Sequence, residues 1–418
     1  MSDYPKLGGW VQGMNTLLHK QELPADTLRS AVNIDITDKG MIKRRRGSVK
    51  KVSGVIPRGT LWSGAGRTLF VESGHLRELH RMPDGDFVST LVRESVGNEP
   101  MAYLALNGQI LWTNGVFTGR LDAKGGDHPW GVKGPDRQPN IATGTSGNLY
   151  QGTYQIAVTF VGPDGEESGT PLAREVVAAE NGSSIVLNNI PQPYGATDKI
   201  RVYCSHVNGE GLYWVGDIYQ GVPLFEIDDV SNFATVLLQT QFGVSPPAGT
   251  ALEAHNGRVF IVRDNIVWIT EPMRYGLVKP LKDFFQFPSA VTIIKAVSDG
   301  IYIVADKTYW ISGIDTPQLE QTEVLPYGGV YGTGIDIPQF DAVAWFSHKG
   351  LVIGGLNGEV YNTMEDRVAV SEYGSGAMFW REDRGIRSVV ATLHHADITP
   401  FMIPDYVALE TARSGAFA

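Results

Sequence analysis

The sequence predicts an all-β protein, a β-propeller of five or six blades that is interrupted by an inserted β-sandwich domain. Its 418 residues include 49 glycines and 23 prolines, a composition that favours turns over helices. The apolar segments are short and rich in Val, Ile, Tyr, Phe and Trp, which is typical of strands. Five of these segments repeat one pattern along the chain, and this repetition predicts the propeller.

The repeated pattern is a tight turn, a β-rich strand, a second polar turn and another β-rich strand. Its turns carry Asn-Gly, Asp-Gly or Lys-Gly, and the first two pairs favour two-residue hairpin turns because both central positions need a positive φ. One such hairpin is marginally stable alone, so its repetition indicates units that stack on one another. The five copies are residues 65–79, 105–118, 254–270, 296–312 and 346–362.

The spacing of the turn glycines locates the insertion. Three of the four intervals are about 42 to 50 residues, a length typical of propeller blades. The interval from Gly108 to Gly257 is about 149 residues, so about 100 to 107 residues have been added there. The other turn glycines in this count are Gly66, Gly300 and Gly350.

The added segment, residues 135–247, is bounded by proline-bearing stretches and contains six or seven short strands, enough for a sandwich. It resembles a fibronectin type III-like module. Residues 154–160 (YQIAVTF), 164–168 (DGEES) and 199–203 (KIRVY) carry that resemblance. Such a fold implies a role in spacing or contact rather than in chemistry.

The complete domain prediction divides the chain into five parts. Residues 23–31 are expected to form one or two helical turns, with Pro24 near the start. Strands from both termini would close the propeller ring, and an open solenoid is the alternative architecture. The parts are an N-terminal arm with strands at 1–57, propeller segments at 58–134 and 248–375, the sandwich at 135–247, and a C-terminal strand and peripheral arm at 376–418.

Charge and cysteine content narrow the class of protein. A formal net charge of −10 opposes nonspecific adhesion to nucleic acid or to anionic membranes. Cys204 is the single cysteine, so an intrachain disulfide is excluded and assembly in a reducing compartment is expected. The N-terminus lacks the apolar stretch of a signal peptide, and no run reaches the roughly 18 apolar residues of a membrane helix.

No constellation of catalytic residues rises above background in the sequence. A glycosidase needs two carboxylates about 5 to 10 Å apart, and the sequence pairs none of its candidates. Most candidates lie at turns, where Asp serves backbone geometry. The candidates are Asp264, Asp306, Asp341, Glu271 and Glu359.

Other chemical signatures are also absent or weak. The chain contains no sialidase Asp-box, no Gly-x-Ser-x-Gly elbow and no phosphate-binding P-loop. His394 and His395 are adjacent, and adjacent strand residues point to opposite faces, so they are expected to be surface or interface residues. Trp268 and Trp310 occupy matching repeat positions and are expected in the core. The sequence therefore predicts a protein that is not an enzyme, without catalytic residues, cofactor or metal.

A basic run follows the first predicted strand. It could neutralise phosphates of nucleic acid, or it could meet an acidic surface on a neighbouring segment or subunit. We favour the second interpretation because the rest of the chain is acidic. The basic residues are Lys43, Arg44, Arg45, Arg46, Lys50 and Lys51.

An ordered series of short motifs surrounds this run. They are residues 13–16 (GMNT), 23–24 (LP), 31–35 (AVNID) and 40–47 (GMIKRRRG). The series resembles the opening of tail proteins from tailed bacteriophages, in which it precedes a β-propeller. Members look like the tail nozzle (tail tube or stabilisation protein) of short-tailed phages. Arg46 departs from the pattern, since many relatives have proline there.

This resemblance implies a structural virion protein in the phage tail, assembled in the host cytoplasm. A homo-oligomeric ring, of six subunits, would extend the DNA ejection channel below the adaptor. Its partners would be the adaptor and portal-side tail proteins and the tail fibres, with double-stranded DNA passing transiently through. An acidic chain repeated around an axis would repel phosphates and so would not grip the DNA.

Two other functions compete with the nozzle. One is a tail-tip protein that contacts a host receptor with the sandwich or with propeller loops. The other, from a different class, is a propeller protein that binds or hydrolyses carbohydrate. A hollow ring would favour the nozzle, whereas monomers that bind or cleave glycan would favour the carbohydrate protein.

Overall fold

A computed structural model of the chain shows an all-β protein whose antiparallel sheets follow one another as the blades of a β-propeller. Within the described residues there is no α-helix, and one short 3-10 turn spans Leu356–Gly358. The structure describes residues 9–10, 12–32, 34–37, 40–44, 56–195, 198–229, 233–337, 339–365, 367, 373–383, 386–395 and 408–410.

The first three blade sheets are antiparallel, and each strand is hydrogen-bonded to the next along the chain, except that the last strand of sheet three pairs with the third strand of that sheet. Sheet one contains β3 (Trp62–Gly64), β4 (Arg67–Glu72), β5 (His75–Arg81) and β6 (Phe87–Arg93). Sheet two contains β7 (Ala102–Leu106), β8 (Gln109–Thr113), β9 (Thr118–Leu121) and β10 (Asp127–His128). Sheet three contains β18 (Ala251–His255), β19 (Arg258–Arg263), β20 (Ile266–Glu271), β21 (Arg274–Val278) and β22 (Phe284–Gln286).

Sheets four to six follow without a further insertion of comparable length. Sheet four contains β23 (Ile293–Val297), β24 (Gly300–Val304), β25 (Thr308–Ser312) and β26 (Glu320–Leu325). Sheet five contains β27 (Ile335–Ile337), β28 (Ala342–Ser347), β29 (Gly350–Gly354) and β30 (Val360–Asn362). Sheet six contains β31 (Tyr373–Asp383), β32 (Ile386–His395) and β33 (Ala408–Glu410).

The second strands of sheets two to five are buried on both faces because each of these sheets is packed between two others. On β19, Ile261 joins a cluster with Leu111 of sheet two, whereas the adjacent Phe260 joins a cluster with Ile303 of sheet four. Adjacent strand residues point to opposite faces, so the two side chains must meet different neighbours. This arrangement explains why the second strands read as continuous apolar runs rather than as alternating ones.

The sixth sheet continues this stack and lies near the first. Val389 of β32 joins the cluster that contains Phe346 of sheet five. Burial lowers the pKa of His394, also on β32, and the nearby charge of Arg58 lowers it further. Arg58 precedes sheet one, so the two ends of the stack approach each other. The number of blades and the strand that closes the ring stay predictions.

Two of the predicted hairpin turns have the expected geometry. Asn107-Gly108 has φ values of 50° and 74°, and Asn256-Gly257 has φ values of 47° and 70°. Both pairs link the first and second strands of their sheets. The positive φ at each position is the conformation that a two-residue turn of this class requires.

The prediction was wrong for the turns at Gly300 and Gly350, where the glycine is the first residue of a strand, β24 and β29 respectively. The loop residues are 298–299 and 348–349 instead. Packing explains the shift in sheet four, since a methyl group on Gly300 would lie 2.4 Å from the ring of Trp310. This glycine therefore accommodates an indole ring and does not serve turn geometry.

Between β10 and β18 the chain forms two further sheets, here called the middle module. Their strands are β11 (Asn140–Leu149), β12 (Gly152–Val161), β13 (Arg174–Ala178), β14 (Ser183–Asn188), β15 (Lys199–Ser205), β16 (Leu212–Tyr219) and β17 (Leu224–Ile227). A three-stranded sheet has the order β11-β14-β17, and a four-stranded sheet has the order β13-β12-β15-β16.

The two sheets of the middle module share one hydrophobic core. Val158 of β12 lies opposite Val202 of β15, and both contact residues of the three-stranded sheet such as Ile185. Cys204 is buried in the same core, and burial raises the pKa of its thiol, so it is a packing residue. Membership of the fibronectin type III-like class stays a prediction.

The N-terminal segment differs from the predicted helix. The backbone N–H of Thr27 donates to the carbonyl of Pro24, but only a turn forms, and Leu28 instead makes a parallel bridge to Met14. The N–H of Leu28 donates to Gly13 at 2.7 Å, so the backbone groups that a helix would use are bonded to another segment. Tertiary pairing thus overrides the local helix signal.

The middle module is joined to sheets two and three by a compact polar junction. Nη2 of Arg120, on β9, lies 2.5 Å from Oδ2 of Asp164, and its Nη1 lies 3.9 Å from Oε2 of Glu166. The backbone N–H of Gly276, on β21, donates to the Glu166 carboxylate. Burial raises the pKa of Glu166, the charge of Asp164 raises it further, and Arg120 and Gly276 act in the opposite direction.

We expect Glu166→Gln to increase in stability relative to the natural chain as pH rises above about 4.3, the ordinary pKa of a glutamate. A carboxyl group with a raised pKa in the folded state stabilises the fold below the unfolded pKa and loses that contribution as pH rises through the folded pKa. Glutamine does not titrate. Urea midpoints measured across this range, with Glu180→Gln on the exposed surface as the control, check the result. A flat or falling difference would contradict it.

Candidate assembly surface

The carboxylates considered for glycosidase chemistry do not form one site. Asp264 and Asp306 lie in the turns between the second and third strands of sheets three and four, where Asp264 has φ of 55°. Asp341 and Glu359 lie at the opposite end of sheet five, beyond the other ends of its strands. Glu271 is held by Lys279 and Lys282 at 3.3 and 3.4 Å.

The histidines and tryptophans singled out in the sequence also occupy structural positions. His394 and His395 are consecutive on β32 and pair with different residues of β31. Trp310 is buried between sheets four and five, as predicted. Trp268 is half-buried and packs against the cluster between sheets two and three, 5.7 Å from the ring of Phe284.

Metal-ligating groups and cavities offer little support for a ligand site among the described residues. In the part of the chain that the structure describes, no group of three or more His, Cys, Asp or Glu side chains could hold a metal ion. A cavity of about 260 Å³ lies between the turns at 65–66 and 107–108 and is lined by Arg67. Glu78 binds that guanidinium at 2.7 and 2.5 Å, so the cavity offers no unpaired charge to a ligand.

A different surface is built by the N-terminal arm, which comprises the described residues from 9 to 44. Gly13 has φ of 71°, and Met14 packs against the hydrophobic cluster of sheets five and six. The side-chain oxygen of Asn15, a buried residue, accepts hydrogen bonds from the backbone N–H groups of Leu17 and Leu18, both at 3.0 Å. Gly13, Met14 and Asn15 belong to the first motif of the N-terminal series.

Backbone and side-chain bonds attach the arm to the loop after sheet five. The N–H of Thr16 donates to the carbonyl of Arg367 at 2.8 Å. The guanidinium of Arg367 donates in turn to the carbonyl of Gln12 at 3.0 Å. The residues that these bonds join are about 350 positions apart in sequence. Local sequence patterns therefore do not encode the attachment of the arm.

The arm ends in a two-stranded hairpin of β1 (Ile34–Ile36) and β2 (Ile42–Arg44), here called the arm hairpin. Within the described residues its strands pair only with each other. Three apolar side chains on or beside it are exposed, Val32 at 83%, Met41 at 66% and Ile42 at 46%. A lone two-stranded hairpin is marginally stable, and its exposed apolar residues indicate a contact surface.

The basic residues predicted as a contact site lie on and after this hairpin. Lys43 and Arg44 are exposed on β2, opposite Asp35 and Ile34 respectively. Neither forms an ion pair with another described residue. Arg45, Arg46, Lys50 and Lys51 lie outside the described residues.

We expect Asn15→Ala to loosen the arm by about 1 kcal/mol, because two backbone donors lose their buried acceptor. Hydrogen exchange at the amides of Asn15 and Leu28, which close the arm's internal pairing, should become faster. Asn15→Asp, which keeps an acceptor oxygen, is the matched control and should retain protection. Equal exchange in the alanine variant and the natural chain would contradict the assigned role of this side chain.

Sequence reasoning missed a buried charged group at the first strands of three sheets. Lys295 on β23 donates to Glu253 on β18 at 2.7 Å and to Asp336 on β27 at 2.9 Å. Burial lowers the pKa of Lys295, but the charges of Glu253 and Asp336 outweigh it and raise the value. Each residue lies in a different sheet, so no local sequence signal could have paired them.

Comparisons with known proteins add no family. No family model matches the chain, and no curated protein matches it significantly. Among solved structures it is similar to a catalytically inactive virginiamycin B lyase from Staphylococcus aureus, at 10% identity and a TM-score of 0.31, with 81% of this chain and 92% of that one covered. Kluyveromyces lactis Hsv2 gives 10% identity, a TM-score of 0.31, and coverage of 81% and 90%. The computationally designed Ika8 protein is similar at 12% identity and a TM-score of 0.27, with 82% of this chain and 95% of that one covered. Such low values carry no argument about function.

Proposed function

We propose that this chain is a structural virion protein, the subunit of a ring-shaped tail nozzle of a short-tailed bacteriophage. In this role the chain extends the DNA ejection channel below the adaptor and meets tail proteins and fibres at its edges. The ring is a homo-oligomer, with six copies as the expected number. The protein acts through its shape and its contacts rather than through a catalytic site.

The observation that carries the proposal is the N-terminal motif series together with its placement. Its first motif anchors the arm: Met14 packs on the cluster of sheets five and six, and Asn15 holds the turn that follows. Its last motif contains β2 of the arm hairpin, which is exposed. The residues that carry the resemblance therefore anchor the arm and form its exposed hairpin. An exposed element of this kind is what an assembly subunit requires for contact with its neighbour.

The charge distribution supports the same role. The chain has a formal net charge of −10, and a conduit of acidic subunits would repel the phosphates of passing DNA. Within the described residues, no helix is long and apolar enough to cross a membrane. The carboxylates that a hydrolase would need are distributed over both ends of the sheets or are held by lysines.

Light scattering coupled to size exclusion tests the proposal directly. The purified chain, alone and with the adaptor ring of the same phage, is expected to form a complex of several copies that comigrates with the adaptor. Glycan binding and hydrolysis are measured in parallel on the same sample. Only free monomer in both samples, or glycan cleavage that is lost on single Asp→Ala changes, would overturn the proposal.

The basic run requires a separate experiment, because subunit contact and DNA contact predict different losses. Replacing Arg44, Arg45 and Arg46 by Ser is expected to abolish assembly, with genome delivery failing only as a consequence. Normal assembly combined with defective genome delivery would instead indicate DNA contact by these arginines. Assembly is measured by light scattering and delivery by infection with the reconstituted particle.

A further inference from the structure

We infer that the arm hairpin of one copy docks on an acidic surface at the far end of sheets four and five of a second copy. This inference rests on the proposed ring and names the two surfaces that would build it. The acidic surface, here called the acidic end, comprises Asp299, Glu320, Asp341 and Glu359.

The arm hairpin supplies positive charge without an internal partner. Lys43 and Arg44 are exposed and have no ion pair with another described residue. Met41 and Ile42 beside them expose 66% and 46% of their surface. Both outer edges of the two-stranded sheet are unpaired within the described residues, so backbone donors and acceptors are also available to a partner.

The acidic end is held together by hydrogen bonds between sheets four and five. The N–H of Ser298 donates to Oδ1 of Asp341 at 2.9 Å, and the N–H of Asn357 donates to Oδ2 of Asp299 at 2.7 Å. Both acids thus have fixed positions while their side chains remain exposed. An acceptor surface that is already ordered loses little conformational entropy when a partner binds.

The other two acids of this surface lie at the same end. Glu320 begins β26 opposite Ser312, and Glu359 lies in the turn after β29, where its backbone carbonyl accepts a hydrogen bond from the Tyr302 hydroxyl at 2.8 Å. Burial raises the pKa of Tyr302, and the nearby charges of Asp299 and Glu359 raise it further. The nearby carboxylates of Asp315 and Asp336 are bound by Arg258 and Lys295, whereas the four acids of the acidic end have no ion pair with a described residue.

Apolar residues accompany the charges on the acidic end as they do on the arm hairpin. Leu319 is 50% exposed beside Glu320, and Leu356 is 40% exposed beside Asn357. A contact between the two surfaces would therefore bury apolar side chains on both partners while pairing opposite charges. Apolar burial would contribute affinity, and the charge pairs would fix how the two surfaces align.

The arm is attached at one end of sheet five and the acidic end lies at the other, which determines the type of contact. The arm bonds to Arg367, whose N–H donates to the carbonyl of Met364, and Met364 lies against Gly350 at the start of β29. Glu359 is bonded to Gly355, just past the end of the same strand. An arm therefore contacts the acidic end of another copy more readily than that of its own. Two different complementary surfaces on one chain are what a heterologous, ring-forming contact requires.

Mixing two charge-reversed variants tests this inference. The arm variant carries Lys43→Glu and Arg44→Glu, and the end variant carries Glu320→Lys and Glu359→Lys. Each variant alone loses the opposite-charge pairing between the arm and residues 320 and 359, and we expect its dissociation constant for assembly to rise about tenfold or more. Equimolar mixing allows an alternating ring in which each arm faces an end of the other variant, so opposite charges meet again at residues 320 and 359. Assembly measured by mass photometry should return towards the natural level.

Control variants separate this contact from nonspecific charge effects and from the proposed function. Glu175→Lys with Glu180→Lys changes the net charge by the same amount as the end variant, on the exposed surface of the middle module, and should assemble like the natural chain. Circular dichroism confirms that all variants fold. Natural assembly by the single variants, or no recovery on mixing, would overturn the inference while leaving the ring intact. A natural chain that stays monomeric would overturn both.

Discussion

Lys295→Met is expected to destabilise the protein by about 3 to 5 kcal/mol, the cost of removing one partner of a buried ion pair. Lys295 is the only cation in contact with Glu253 among the described residues, and the two side chains expose 16% and 10% of their surface. Methionine fills a similar volume but supplies no charge. The variant therefore leaves the Glu253 carboxylate buried without its cation.

A double variant distinguishes the charge effect from a packing effect. Burial raises the pKa of Glu253, the charge of Asp336 raises it further, and Lys295 lowers it. Glu253→Gln with Lys295→Met removes both charges and should be more stable than Lys295→Met alone. Urea unfolding at neutral pH measures all three chains. Equal losses in the single and double variants would show that packing, not charge, is the main contribution of Lys295.

Gly276→Ala is the second change for which we expect a large effect, about 3 kcal/mol. A methyl group at this position would lie 1.7 Å from Oε1 of Glu166 and 2.7 Å from the Cα of Gly131. The glutamate side chain would have to leave the backbone N–H that it accepts from, while the Gly131 backbone cannot move without displacing Trp130. The substitution therefore separates the middle module from β21.

Gly355→Ala is the matched control, since its methyl group would meet only one atom, the carbonyl oxygen of Glu359 at 3.9 Å. Its φ of −106° and ψ of −159° are extended and open to any residue. Thermal unfolding and limited proteolysis of the linkers around the module measure both variants. We expect early cleavage in Gly276→Ala and none in the control. Equal behaviour would contradict the close packing at the junction.

The blade strands could be predicted from the sequence because their signals are local. Each repeat carries its own turn and its own β-rich residues, as at Asn107-Gly108 and Asn256-Gly257. The same reasoning failed at Gly300, whose small size is required by Trp310 of the neighbouring strand. A glycine before a strand looks identical in sequence whether it makes a turn or accommodates a ring.

The contacts that shape the candidate surface could not be predicted in the same way. Leu28 does not form the predicted helix because its backbone N–H donates to Gly13. Arg367, which is distant in sequence, donates a hydrogen bond to Gln12. The Lys295 and Glu166 groups likewise join residues from separate sheets. Sequence spacing contains no information about such partners until the fold brings them together.

Negative-stain electron microscopy of the purified natural chain tests whether this protein works as a ring-forming subunit. We expect hollow rings with sixfold symmetry, whose assembly the arm variant reduces. A population of single propeller-sized particles at every concentration, unchanged by the adaptor ring, would contradict it.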